Sequence, residues 1–181
     1  MDFRFSAVFL KALEFSRDEA LRTGWHNICP DHIMLGILRQ ADNRACRILA
    51  SLGVDSALFK ESIDEALFSP EQIPWEERED INFRSSAASV LREAALESGR
   101  CQANFVGPEH FLLALCREDG SFCREWLAGR GIDHAGVLAA LGADGYASCT
   151  EKAAAPDLAA MAAAIEKRLK DGFVTDTVFT S

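Results

Sequence analysis

The chain has 181 residues, with 19 basic against 28 acidic side chains, so its formal net charge is 19 − 28 = −9. Hydrophobic residues make up 49% and charged residues 26%, a globular balance with enough apolar surface to offset ordering entropy. A pI near 4.9 argues against nucleic acid and anionic membrane as partners, since both are met by a basic face, and no apolar run approaches the ~20 residues of a membrane span.

The first predicted helix covers residues 6–22, where Phe9, Leu10, Leu13, Ala20 and Leu21 recur at helical spacing. Gly24 ends it. Pro30 and Asp31 then open a short apolar helix over 31–39, because proline needs no N–H there and a carboxylate faces the positive end of the dipole. A third helix spans 43–52 and stops at Gly53; Asp55 or Ser56 caps a fourth over 57–67. Residues 69–82, SPEQIPWEEREDIN, carry two prolines and five acids against Arg78, the composition of an exposed acidic connector. Helices recur over 86–98, 109–117, 121–128 and 133–141. Residues 143–156 form a small-residue linker. An alanine-rich helix follows over 157–170, with Leu158, Met161, Ile165 and Leu169 on one stripe, and 171–181 has no helical pattern. No segment alternates as a strand over a useful length, so the fold class is all-α.

The second set of helices is a copy of the first. At a constant offset of 83 − 5 = 78 residues, Phe5 pairs with Phe83, Leu13 with Leu91, Glu19 with Glu97 and Arg22 with Arg100. The register continues without a gap through Pro30/Pro108, His32/His110, Leu35/Leu113, Arg39/Arg117, Leu49/Leu127, Ala50/Ala128, Gly53/Gly131, Asp55/Asp133 and Ala57/Ala135. Two four-helix units, 1–68 and 83–142, are therefore expected to pack about a pseudo-twofold axis.

CPDHIMLGILR (29–39) and GPEHFLLALCR (107–117) resemble the twice-repeated GTEHLLLGLLRE motif of the Clp N-terminal domain family. Each copy is followed by a family-like ending, ILASLGVD (48–55) and WLAGRGID (126–133), and RFSAVFLKALEFSRDEALRTGWHNI (4–28) is similar to the family's opening. The resemblance covers residues 4–141. It implies an eight-helix pseudo-twofold domain that stands before AAA+ unfoldases and receives protein substrates or adaptors, without catalysis of its own. The implied partners are those proteins and Clp ATPase or protease subunits. The chain contains no GxxxxGK(S/T) loop to cradle nucleotide phosphates, and no cofactor or metal is expected. An alternative role is an accessory subunit that docks on a Clp protease core through the 157–170 helix and the tail.

Asp31 and Glu109 occupy the acidic position of the two motifs, which in some family members contacts the guanidinium of phosphorylated arginine. Arg4, Ser6 and Arg84 complete this candidate site: Ser6 retains the family's early threonine hydroxyl, Arg84 replaces it in the second unit, and both arginines can bind phosphate. The motif threonine is Pro30 and Pro108 here, which removes a hydroxyl and a donor. His32 and His110 recur with the repeat, as capping or buried residues do, and no nucleophile stands at a recognisable spacing. Trp75, beside Ile73 and Pro74 in the acidic connector, is a candidate partner contact, whereas Trp126 falls on a core stripe. The six cysteines form no CxxC pair, and the start has no basic region before an apolar block. They are expected to be reduced core residues of a cytoplasmic protein.

Overall fold

The computed structural model describes residues 4–144. Eight α-helices lie where the periodicity places them: α1 (Ala7–Thr23), α2 (Pro30–Gln40), α3 (Arg44–Ser51), α4 (Ser56–Leu67), α5 (Ser85–Arg100), α6 (Pro108–Leu115), α7 (Phe122–Ala128) and α8 (His134–Ala143). The expected helix over 157–170 and the tail lie outside the described residues.

Short polar side chains set most of the helix starts. Ser6 accepts the Phe9 N–H at 3.1 Å, Asn43 that of Cys46 at 2.9 Å, and Ser121 that of Arg124 at 3.2 Å. Asp55 and Asp133 cap α4 and α8 in the same way. Gly53 and Gly131, with φ of 82° and 74°, occupy the left-handed turns that end the third helix of each unit.

Two-residue strands, β1 (Asn27–Ile28) and β2 (Asn82–Phe83), are the departure from a purely helical expectation. They run parallel with Ile28 opposite Phe83, and an isolated bridge joins Phe5 to Val106. At the offset of 78 these two bridges are one contact made twice, because Phe5 becomes Phe83 and Ile28 becomes Val106. The entry of each unit therefore pairs with the other unit, as a twofold axis requires. The helices obey the same symmetry. α3 packs on α6 and α8 of the second unit, and α7 packs on α2 and α4 of the first.

Neither unit closes its own core. Phe5, Phe9, Ile33, Leu35, Leu49, Phe59, Phe111, Leu113 and Leu127 belong to one continuous buried cluster. Phe9 meets Phe111 across the axis at 6.0 Å between ring centres, and Phe59 stacks on Trp126 at 4.4 Å. Each such side chain is worth roughly 1.5–3 kcal/mol on burial. Trp126 is thus half-buried at the seam, with Arg130 on its other face.

Three of the repeat identities form a single charge cluster in each unit. Glu19, buried in α1, faces Arg22 and Arg39. Glu97, its equivalent in α5, faces Arg100 at 3.0 Å, Arg117 at 2.6 Å and additionally His134 at 2.9 Å. Burial pushes the Glu97 carboxyl up, but the His134 hydrogen bond and the charges of Arg117 and Arg100 outweigh it and hold the group below the usual range.

The connector is less free than its composition suggests. Trp75–Asp80 forms a 3₁₀ turn, and Arg78 pins it to α1 through Glu14 at 3.2 Å and Asp18. The cysteine expectation needs correction: Cys29, Cys46, Cys116 and Cys123 are free, but Cys101 is disulfide-bonded.

Candidate functional site

The motif acids lie at the N-termini of α2 and α6, where each unit's second helix enters the shared core. Proline at the first helical position leaves no orphan N–H. The third position is a histidine in both units. His32 Nδ1 accepts the Cys29 N–H at 3.1 Å, and His110 Nδ1 accepts the Gly107 N–H at 2.9 Å. The His32 proton therefore sits on Nε2, 2.9 Å from the Thr23 hydroxyl, which donates to the Glu19 carbonyl at 2.8 Å. Burial lowers His32 to about 4 and His110 to about 3, so both are neutral capping groups.

Asp31 is committed to the other unit. Its two oxygens accept the Cys123 N–H at 2.9 Å and the Phe122 N–H at 3.2 Å, the first two amides of α7, and the residue is only 6% exposed. A carboxylate on the open amides of a helix N-terminus is a strong cap. Asp31 thus bolts α2 of the first unit to α7 of the second.

Glu109 behaves differently. Its carboxylate folds back over Gly107, so that a Cβ added at Gly107 would lie 2.6 Å from either oxygen. Burial raises its pKa, opposed by its own backbone N–H and by the charges of Arg44 and Arg47. The side chain retains 13% exposure. The first unit, with the shorter Asp31, has Cys29 where the second has Gly107.

The remaining candidates arrive crosswise. Ser6, the N-cap of α1, donates its backbone N–H to Val106, and the Arg4 carbonyl accepts from Val106, so the first unit's entry lies beside Gly107 and the second unit's acid. Arg84 donates its N–H to Ile28, beside Cys29 and the first unit's acid. The Arg84 guanidinium lies 5.6 Å from the centre of the Trp25 ring, and its charge helps to depress His32. Sequence spacing places these residues in units; the axis exchanges them, a consequence that only the cross-unit strand pairs reveal. Trp75 is 63% exposed and Phe68 76% exposed on the connector side, remote in sequence from the acids.

The free thiols are quiet. Burial raises Cys29 to about 11 and Cys116 to about 12, and lifts Cys46 and Cys123 as well. Such groups carry little thiolate near neutral pH. Among the described residues, no three His, Cys, Asp or Glu side chains converge to hold a metal ion, and no helix is long and apolar enough to cross a membrane.

Comparison with known proteins agrees with this architecture. The chaperone protein ClpB of Oceanobacillus iheyensis is 31% identical over 134 residues, 74% of this chain and 16% of that protein. The negative regulator of genetic competence ClpC/MecB of Bacillus subtilis is 32% identical over 134 residues, again 74% of this chain but 15% of the relative. This chain therefore spans about one sixth of the length of those relatives. Among solved structures, the Hsp104 N-terminal domain from Candida albicans superposes with a TM-score of 0.61 at 16% identity, covering 83% of this chain and 96% of that one. The N-terminal domain of ClpD from Arabidopsis thaliana gives 0.51 at 19% identity, over 92% and 97% of the two chains. At these identities the superpositions establish the fold alone. The model of the Clp repeat (R) N-terminal domain matches residues 4–129. This chain belongs to the Clp N-terminal repeat domain family.

Proposed function

We propose that the chain is a non-catalytic protein-binding domain of the Clp chaperone and protease system, which recognises substrates or adaptor proteins for ATP-dependent unfolding. The match of this chain to a small fraction of much longer Clp chaperones supports the reading. Exposed Phe68 and Trp75 add apolar contact area of the kind that anchors protein partners. Recovery of partners from native cytoplasm on the immobilised chain, identified by mass spectrometry, tests it. Clp ATPase subunits, adaptors or their substrates are the expected yield. A yield no different from that of an unrelated protein of equal charge refutes the reading.

Phosphoarginine recognition, the finer version, runs through the second unit in this chain. Asp31 spends both oxygens on α7. Glu109 keeps a partly exposed carboxylate to read a guanidinium, with Arg44 and Arg47 near enough to act on its charge and to attract a phosphoryl group. An arginine-phosphorylated peptide should bind the wild type and lose most of its affinity on Glu109→Gln. Equal affinity for the two proteins ends this version.

A further inference from the structure

We propose that the groove between the start of α1 and the end of α2 is a docking site for a short extended peptide that inserts one apolar side chain and places a carboxylate at Lys11. This deepens the protein-binding reading and rests on it. The groove is an open depression of about 480 Å³ between Val8, Lys11 and Phe15 of α1 and Arg39 and Gln40 of α2, with Asp42 also lining it. That is within the range of sites that hold a small ligand or one to two side chains.

The second unit is an internal control for what folding requires. At the offset of 78, Val8 becomes Ser86, Lys11 becomes Ser89, Phe15 becomes Glu93 and Gln40 becomes Glu118. The same helices form there, and the equivalent surface carries polar contacts instead: Ser89 Oγ donates to Glu118 at 3.4 Å, and Arg117 lies 3.9 Å from Glu93. The two units keep identical leucines at 13/91, 35/113 and 49/127, where the core demands them. The fold thus accepts a polar lining at this place. The apolar lining of the first unit, with Val8 44% exposed, answers to something other than folding.

The lining also specifies its occupant. Val8 and Phe15 offer an apolar floor, and Arg39 and Lys11 flank the Phe15 ring at 4.3 and 5.8 Å from its centre. Arg39 is held by Asp18 at 3.6 Å and Glu19 at 3.7 Å. Lys11 has no carboxylate within ion-pair distance among the described residues, so its charge is open to a partner. Gln40 donates Nε2 to the Val8 carbonyl at 2.9 Å, while its buried Oε1 has no donor among the described residues. Asp42 repels a second acid, which limits the motif to one carboxylate beside one apolar residue. The net charge of −9 does not forbid this, because charges beyond about 8 Å are screened at physiological salt.

The test uses the full chain and a fluorescein-labelled Gly-Asp-Phe-Ala-Gly peptide, with control peptides carrying Lys for Asp or Ala for Phe, read by fluorescence anisotropy. Val8→Ser/Phe15→Glu installs the second unit's residues and should weaken binding roughly tenfold or more, as should either control peptide. Lys11→Glu, an exposed change that leaves packing alone, should invert the preference towards the Lys peptide. Equal binding by wild type and both variants, or no binding by the wild type up to about 1 mM peptide, overturns the proposal. Clp partners recovered alike by wild type and Val8→Ser/Phe15→Glu, with no peptide binding by either, would remove the groove and leave the domain's broader role standing. No Clp partner recovered by the wild type would instead count against that broader role.

Discussion

Asp31 and Glu109 hold the same place in two copies of one helical unit, yet do different work. Asp31 reaches across the axis and caps α7 with both oxygens. Glu109, one methylene longer, turns back over Gly107, where the first unit has Cys29. The short acid tolerates a side chain at its neighbour; the long one occupies the space a Cβ would need. The outer groove repeats the lesson, apolar in the first unit and polar in the second. Residues identical in both copies hold the fold, as Glu19/Glu97 with their arginines and His32/His110 with their backbone amides do. Asp31 and Glu109 show that a position which differs between the copies can make different contacts in each.

Acid should have the largest effect on this comparison. Burial holds His32 at about 4 and His110 at about 3, against 6.5 for an unperturbed ring. Between these values the unfolded chain takes up protons that the native state refuses. Stability is therefore whole above pH 6.5 and falls as pH drops through 6.5 towards 4, by about 3 kcal/mol or more for each ring. Urea unfolding at neutral pH and at about pH 5 measures the loss, and His32→Gln or His110→Gln should each flatten the slope by one proton. A pH-independent midpoint across this window would contradict two buried neutral rings.

Truncating the motif acids should separate the units more sharply. Asp31→Ala removes two hydrogen bonds from a buried charge to α7 and should cost about 2–3 kcal/mol. Glu109→Ala relieves a carboxyl that burial already disfavours, and should change stability by less than about 1 kcal/mol. Equal losses by thermal or chemical denaturation would mean that the two acids are structurally equivalent after all.

The smallest effect concerns the approach of the first two helices. Gly36 lies so close to α1 that an added Cβ would overlap the Ala12 carbonyl oxygen, whereas the second unit carries Ala114 at the equivalent position. Gly36→Ala should destabilise by about 1–2 kcal/mol despite alanine's better helix propensity. A stabilised variant would show that α1 and α2 can separate as freely as α5 and α6 accommodate their alanine.

Most of the framework was legible in the sequence. Helix spans came from the period of apolar residues, and several of their ends from Gly24, Gly53 and Asp55, because caps are local chemistry. The candidate site was only half legible. Asp31 and Glu109 could be placed at helix N-termini, but the partner of Asp31 is 91 and 92 residues away, and no periodicity reports so distant an amide. The crosswise arrival of Ser6 and Arg84 was hidden for the same reason, since strands of two residues are too short to leave an alternating pattern. Trp126 read as core from its stripe, but a residue at a seam between units satisfies the same stripe while half exposed.

Sequence alone determined that this protein is a doubled four-helix unit, because duplication, helical period and capping are written in neighbouring residues. It also carried the likeness to the Clp N-terminal family, through motifs confined to short stretches. Tertiary structure alone decided which acid is spent and which retains exposure, and where apolar surface is left over. Those outcomes depend on the pseudo-twofold axis, which sets residues of one copy against amides and side chains of the other.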